Sequence, residues 1–254
     1  QSIDDLTFQP DLVWIKVRDE SNNHVLTDSV RGVDSIVSAD GTYAESTFSS
    51  AWRAQYGQIQ TFDTNGFTIK NSTDADVFNK LNDLYVAWNW KAAGFANAFN
   101  VLEGGTVTTS SSAATAGITA GTITTGWNVS ANRDAGFSIV SYTGTGSNAS
   151  VGHGLDSAPE LILIKLRSGT MNWVVYNSES GASKFLTLNS TVYAETYNMW
   201  QNTSPTNSVF TISTDAQPNT INGNYIAYAF RSIPGFSDIG SYIGLGSSAN
   251  PVIV

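Results

Sequence analysis

Apolar and polar positions alternate along most of this chain in short runs, and the runs follow the two-residue period of a β-strand rather than the helical period. The strongest run is Pro10-Asp11-Leu12-Val13-Trp14-Ile15-Lys16-Val17-Arg18, where Val13, Ile15 and Val17 fall on one face and Leu12 and Trp14 on the other. Apolar residues on both faces predict a central strand covered from both sides, emerging at its Lys end. The run occurs twice. Its second copy, Pro159-Glu160-Leu161-Ile162-Leu163-Ile164-Lys165-Leu166-Arg167, lies 149 positions later with Pro, acid, apolar run, Lys and Arg in step.

Other strands repeat in the same order. His24 to Ser29 matches Trp173 to Ser178, Phe67-Thr68-Ile69 matches Phe210-Thr211-Ile212, and Tyr85 to Lys91 matches Tyr225 to Arg231. The displacement drifts from 149 to 143 to 140, so the copies differ in loop length and agree in strands. Thr64-Asn65-Gly66-Phe67 predicts a hairpin with Asn-Gly at a type I′ turn. In the last shared strand, Val86, Trp88 and Trp90 predict a bulky core face, and Ala87 and Asn89 a closely approached one. The pattern defines an all-β chain of two tandem antiparallel β-sandwich units, jelly-roll-like, built from an internal repeat.

Residues 1–95 form the first unit and residues 136–234 the second. Residues 96–135, rich in Ser, Thr and Gly, read as a connecting segment with one or two weak strands, because Ile118, Ile123 and Trp127 give it something to bury. Unit two opens with Gly136-Phe137-Ser138 running to Tyr142-Thr143-Gly144-Thr145-Gly146, and residues 235–254 begin the same way, with Gly235-Phe236-Ser237 and Tyr242-Ile243-Gly244-Leu245-Gly246. In this phase unit one lacks its opening strand. Residues 235–254 are expected either to open a further unit or to complement the first, within the chain or between chains.

Composition narrows the functional classes. Charged residues make up 13% of the 254, the net charge is −9, and Cys is absent. A phosphate backbone is repelled by that charge, so no nucleic-acid partner is expected. Disulfides and thiolate metal sites are excluded, and no apolar run approaches the length of a membrane span.

Candidate chemistry is sparse. His24 aligns with a Trp and His153 sits in a Gly-His-Gly turn, so neither a His triad nor a His metal site has support, and no cofactor motif is present. Asp11, Asp19, Glu20, Glu45 and Asp63 are the acids available for paired-carboxylate glycoside chemistry. Acids recurring in both units, Asp11/Glu160, Glu45/Glu195 and Asp74/Asp215, read as features of the fold, so no catalytic residue and no metal ligand is assigned. Trp14, Trp88, Trp90 and Trp173 read as core. Trp52, Tyr56, Tyr193, Tyr197 and Trp200 lie in divergent loops and are the candidates for stacking on sugar rings.

The ordered series of Pro-Asp-Leu-Val-Trp-Ile-Lys-x-Arg, Asp28-Ser29-Val30-Arg31-Gly32, Asn65-Gly66-Phe67-Thr68-Ile69, Tyr85-Val86-Ala87-Trp88, Gly136-Phe137-Ser138 and Tyr142-Thr143-Gly144-Thr145-Gly146 resembles a repeat domain of marine bacteriophage virion proteins. These are cyanophage-like tail-fibre-like or head-appendage proteins, and the resemblance spans nearly the whole chain. It implies a non-enzymatic structural component on the virion surface, outside the cell. It also implies self-association as a homotrimer or fibre, contacts with other virion proteins, and contact with a host cell-surface glycan. A glycan-binding lectin or adhesin module is the alternative, and a polysaccharide depolymerase the third reading.

Overall fold

The computed structural model describes residues 1–47, 57–70, 77–94, 98–100, 107–108, 118–244 and 246. Unit one contains β1 (Ser2–Ile3), β2 (Leu12–Val17), β3 (Val25–Asp28), β4 (Ser35–Ser38), β5 (Ser46–Thr47), β6 (Gln58–Asp63), β7 (Gly66–Lys70) and β8 (Tyr85–Trp90). Next come β9 (Ala98–Asn100), β10 (Val107–Thr108) and β11 (Asn128–Asn132). Unit two continues with β12 (Phe137–Thr143), β13 (Ala149–Gly152), β14 (Leu161–Leu166), β15 (Val174–Asn177), β16 (Lys184–Thr187), β17 (Glu195–Thr196), β18 (Val209–Ile212), the one-turn helix α1 (Ala216–Asn219) and β19 (Asn224–Phe230).

The strands form four sheets, ordered β1-β7-β6, β5-β4-β3-β2-β8, β10-β9-β11-β12-β19-β14-β15-β16-β17, and β13-β18. Among the described strands, pairing is antiparallel except between β9 and β11. The chain is all-β, with two tandem β-sandwich units.

Each large sheet is covered on both faces. Val13 and Ile15 of β2 pack with Ile59, Phe67, Ile69 and Phe78 inside unit one. Ile162, Ile164 and Leu166 of β14 pack with Val151, Phe210 and Ile212 inside unit two. The opposite faces meet each other: Leu12, Leu26 and Val37 of one sheet lie against Phe137, Ile139, Leu163, Val175, Ile226 and Tyr228 of the other. The two sandwiches therefore stack, and their seam is a third core. Burial of this many apolar side chains at about 1.5–3 kcal/mol each is what holds a chain without disulfides together.

Three features differ from the sequence reading. First, the bulky face of the last shared strand points to the seam and not into its own sandwich. Trp90, Tyr228 and Phe230 pack there, whereas Ala87 and Ala229 face the sandwich interior. Trp173 is fully buried and Trp14 and Trp90 are half-buried, but Trp88 is 44% exposed and is not core. Second, residues 96–135 contribute β9, β10 and β11 to the nine-stranded sheet, with Val129 and Ala131 buried, so the segment is part of unit two's sheet rather than a connection alone. Third, the hairpin between β6 and β7 forms, but Asp63 pairs with Gly66 and the turn residues are Thr64 and Asn65. Gly66 serves a different purpose: a Cβ there would come within 1.8 Å of the Ile3 carbonyl, so it is the residue that lets β1 lie against β7.

Residues 235–244 carry no strand and form no ladder with the described residues of unit one. Their ladder contact is a single bridge between Ile233 and Ser237. Among the described residues no helix is long and apolar enough to cross a membrane.

Candidate functional site

Most of the acids and bases that recur in the repeat are consumed by the fold. Asp11 Oδ2 accepts from the Ala92 amide at 2.8 Å, and Glu160 Oε2 accepts from the Ser232 amide, so each signature acid fastens the chain leaving the last shared strand. Burial pushes the Asp11 carboxyl up to about 6. The signature lysines do similar work. Lys165 Nζ donates to the carbonyls of Thr42, Leu166 and Met171 at 3.2, 3.0 and 2.9 Å, and Lys16 Nζ donates to those of Val17 and Glu20. Burial lowers Lys165 to about 8.

A charged network crosses the seam. Arg31 donates from Nε to Asp28 Oδ2 at 2.5 Å, from Nη1 to Glu45 Oε1 at 3.1 Å, and from Nη2 to the Tyr228 hydroxyl at 3.1 Å. Arg167 of unit two donates from Nε to Glu45 Oε2 at 2.8 Å. The Arg31 and Asp28 side chains are fully buried. Burial works against the Arg31 charge, and Asp28, Tyr228 and Glu45 more than offset it, so the guanidinium is held above its usual range. Two cations and two carboxylates balance, which is the condition for burying them.

Glu195 stands exposed on β17, whereas the other acids named above that the structure describes, and both histidines, have partners. Asp19 accepts from the Leu84 amide, Glu20 pairs with Lys80, and Asp63 accepts from Thr68 Oγ1. Asp215 caps α1 through the Gln217 amide, while Asp74 lies outside the described residues. His24 Nδ1 accepts from Trp14 Nε1 at 2.9 Å. His153 is buried, with Nε2 at 3.1 Å from the Thr206 carbonyl and Nδ1 accepting from the Leu155 amide, and burial lowers it to about 4. The neutral ring with its proton on Nε2 satisfies both contacts. Among the described residues, no three His, Asp or Glu side chains are placed to hold a metal ion.

The sugar-stacking candidates separate. Trp52 and Tyr56 lie outside the described residues. Trp200 is buried to 1% exposure, donates from Nε1 to the Lys184 carbonyl at 3.1 Å and packs edge-on to Tyr176, so it is a core residue and offers no face to a sugar. Tyr193 and Tyr197, at 83% and 53% exposure, are free to stack. Tyr197 borders an open cleft of about 330 Å³ walled by Asn172, Glu195, Asp215 and Gln217 with Phe185 and Met199 beneath. The Gln217 Oε1 atom on that wall is buried and accepts no hydrogen bond. Sequence reasoning found the aromatic at this cleft and missed its amides, because Asn172 and Gln217 lie far apart in the chain with no motif around them.

The second opening is apolar. A cavity of about 470 Å³ at the seam is lined by Trp14, Asn89, Trp90, Phe137, Phe230 and Phe236 among others. A third, of about 290 Å³, lies inside unit one between Ala87 and Asn89 of β8 and Phe67 and Ile69 of β7.

Two stacked sandwiches joined by a buried charged seam define a tandem β-repeat protein whose polar motif residues serve its architecture. The chain belongs to the family described as Domain of unknown function (DUF7483), whose model matches it twice, over residues 1–118 and 109–254. No curated protein and no solved structure matches it.

Proposed function

We propose that the protein is a non-enzymatic structural component of a phage virion, part of a tail fibre, tail or capsid-surface appendage. The observation that carries this reading is the fate of the duplicated polar residues. Asp11, Glu160, Lys16, Lys165 and Arg167 tie strand ends or the seam, and Arg31 of unit one joins them there, which leaves most of the repeat's polar residues devoted to building a rigid stack. The resemblance of the ordered motifs to virion repeat domains supplies the setting. Immunogold labelling of purified virions with antibodies against this chain is expected to decorate the tail or head surface. Recovery of the chain only from the soluble lysate, with bare particles, contradicts the reading.

A second reading, contact with a cell-surface glycan, is favoured by the cleft beside Tyr197. Its wall of Asn172, Glu195, Asp215 and Gln217 offers amide and carboxylate groups of the kind that hydrogen-bond sugar hydroxyls. An exposed phenol alongside offers a ring face for the sugar's C–H surface. Binding on a glycan array that falls at least tenfold in both Tyr197→Ala and Gln217→Ala supports it. An array with no hits, or hits unaffected by either change, removes it.

A further inference from the structure

The repeat allows each strand of unit one to be judged against its counterpart in unit two. β19 lies between β14 and β12, whereas its counterpart β8 has β2 on one side and, among the described residues, no strand on the other. Burial registers the difference. Tyr228 of β19 is fully buried, and the matching Trp88 of β8 is 44% exposed.

The free edge is chemically a strand acceptor. Arg18 donates to the Leu84 carbonyl in register with the β2–β8 ladder, so alternation turns the amides of Ala87 and Asn89 away from β2. In unit two the matching Ala227 and Ala229 face Val140 and Ser138 of β12. The Asn89 side chain donates to the Ala87 carbonyl at 3.3 Å, a local cover for an edge that no described strand adjoins, and its own Oδ1 is buried without a partner among the described residues. Both faces of the edge also have space. The 290 Å³ cavity lies on the interior side, where β12 sends Val140 and Tyr142 in unit two, and the seam cavity lies on the other.

The chain carries a matching donor. Residues 235–246 repeat the Gly-Phe-Ser to Ser-Tyr-x-Gly-x-Gly pattern of β12, with one added residue between Phe236 and Ser241 that a β-bulge accommodates. In this structure that donor forms no ladder with its own β8, although Phe236, Ser237 and Ile239 border the seam cavity beside Asn89 and Trp90. Ser241 is tied to Glu179 of unit two, while Phe236, Tyr242 and Ile243 stand 73%, 71% and 85% exposed. Three large exposed apolar residues in one short segment are the mark of a surface awaiting a partner.

We propose that residues 235–244 of one copy pair antiparallel with β8 of a second copy, as β12 pairs with β19 within the chain. Phe236 then faces Trp90, as Phe137 faces Phe230, and the Tyr242 ring comes over Tyr85, as Tyr142 stacks on Tyr225 at 4.9 Å. The contact is head-to-tail, so copies add in sequence to form a ring or an open fibre. The exchange deepens the assembly role proposed above and rests on it, but purified protein tests it with no virion present.

The experiment is light scattering on the full chain over a range of concentrations. Wild type is expected to give multiples of 27.1 kDa. Ala87→Pro removes an outward amide at the acceptor edge, and Tyr242→Asp places a charge in the donor; each alone is expected to be monomeric. Mixed together they are expected to give a species of two copies and nothing larger, because one intact donor meets one intact acceptor. If Ala87→Pro fails to fold by circular dichroism, Tyr242→Asp, at an exposed position, decides alone. Wild type that remains monomeric at every concentration, or a Tyr242→Asp chain with the wild-type mass distribution, overturns the proposal.

Discussion

The hydroxyl of Tyr228 in unit two donates to Asp28 Oδ2 in unit one at 2.7 Å, and the same hydroxyl accepts from Arg31. One phenol thus closes the charged network across the seam. Its two neighbours are fully buried side chains, so neither can find water if the phenol or the guanidinium is lost.

Arg31→Ala is expected to destabilise the protein by about 3–5 kcal/mol, because it leaves Asp28 buried without its cation, while Glu45 keeps Arg167. Tyr228→Phe removes one hydrogen bond to a carboxylate and is expected to cost less, about 1.5–3 kcal/mol. Urea unfolding curves for the two variants check both the sizes and their order.

Two buried groups make opposing contributions to acid stability. His153 has its folded value lowered to about 4, so its contribution is present above about 6.5 and is lost as pH falls toward 4. Asp11 has its folded value raised to about 6, so its contribution is full below about 3.8 and is lost as pH rises through 6. Each is worth about 3 kcal/mol, and across the shared window they offset one another. Replacing Asp11 with Asn removes one side of this balance. Its stability is expected to fall more steeply between pH 6.5 and 4 than that of wild type in thermal melts across this range.

Lys165 adds an alkaline effect of the other kind. Its folded value of about 8 lies below the ordinary lysine value, so the unfolded chain binds the proton more tightly and the buried ammonium opposes folding at neutral pH. Between about pH 8 and 10.5 this penalty is relieved. Lys165→Met is expected to flatten the rise in stability over that interval relative to wild type, as read by urea midpoints.

Trp200 and Tyr197, three residues apart, are expected to respond in opposite ways. Trp200→Ala empties a core position and should cost about 3–5 kcal/mol. Tyr197→Ala, at a half-exposed ring, should leave stability within about 0.5 kcal/mol and act on glycan binding alone. Thermal melts paired with binding to a glycan that the wild type retains separate the two.

The two-sided burial of β2 and β14 was legible because Leu12 to Val17 and Leu161 to Leu166 are apolar at nearly every position, and only a doubly covered strand tolerates that. The duplication was legible from strand order alone. The seam was not, since Val86, Trp88 and Trp90 as a bulky stripe satisfy a sandwich interior and a facing unit equally well. Trp200 was misread for a related reason. A tryptophan in a loop-like stretch looks the same over solvent as over a core, and the Tyr176 and Lys184 that enclose it are set by the fold rather than by neighbouring sequence. The Glu45–Arg167 pair joins residues 122 apart across two units, beyond any local pattern.

The proposed exchange between copies requires the edge of β8 that no described strand adjoins to take up a strand from a neighbour. Hydrogen exchange at the amides of Ala87 and Asn89 reads that edge directly. In the monomeric Tyr242→Asp chain both amides face away from β2, with no strand beside them among the described residues, and are expected to exchange freely, while those of Val86 and Trp88, facing β2, stay protected. In concentrated wild type the Ala87 and Asn89 amides are expected to slow by at least about tenfold. Equal exchange at Ala87 and Asn89 in the two samples would contradict the account.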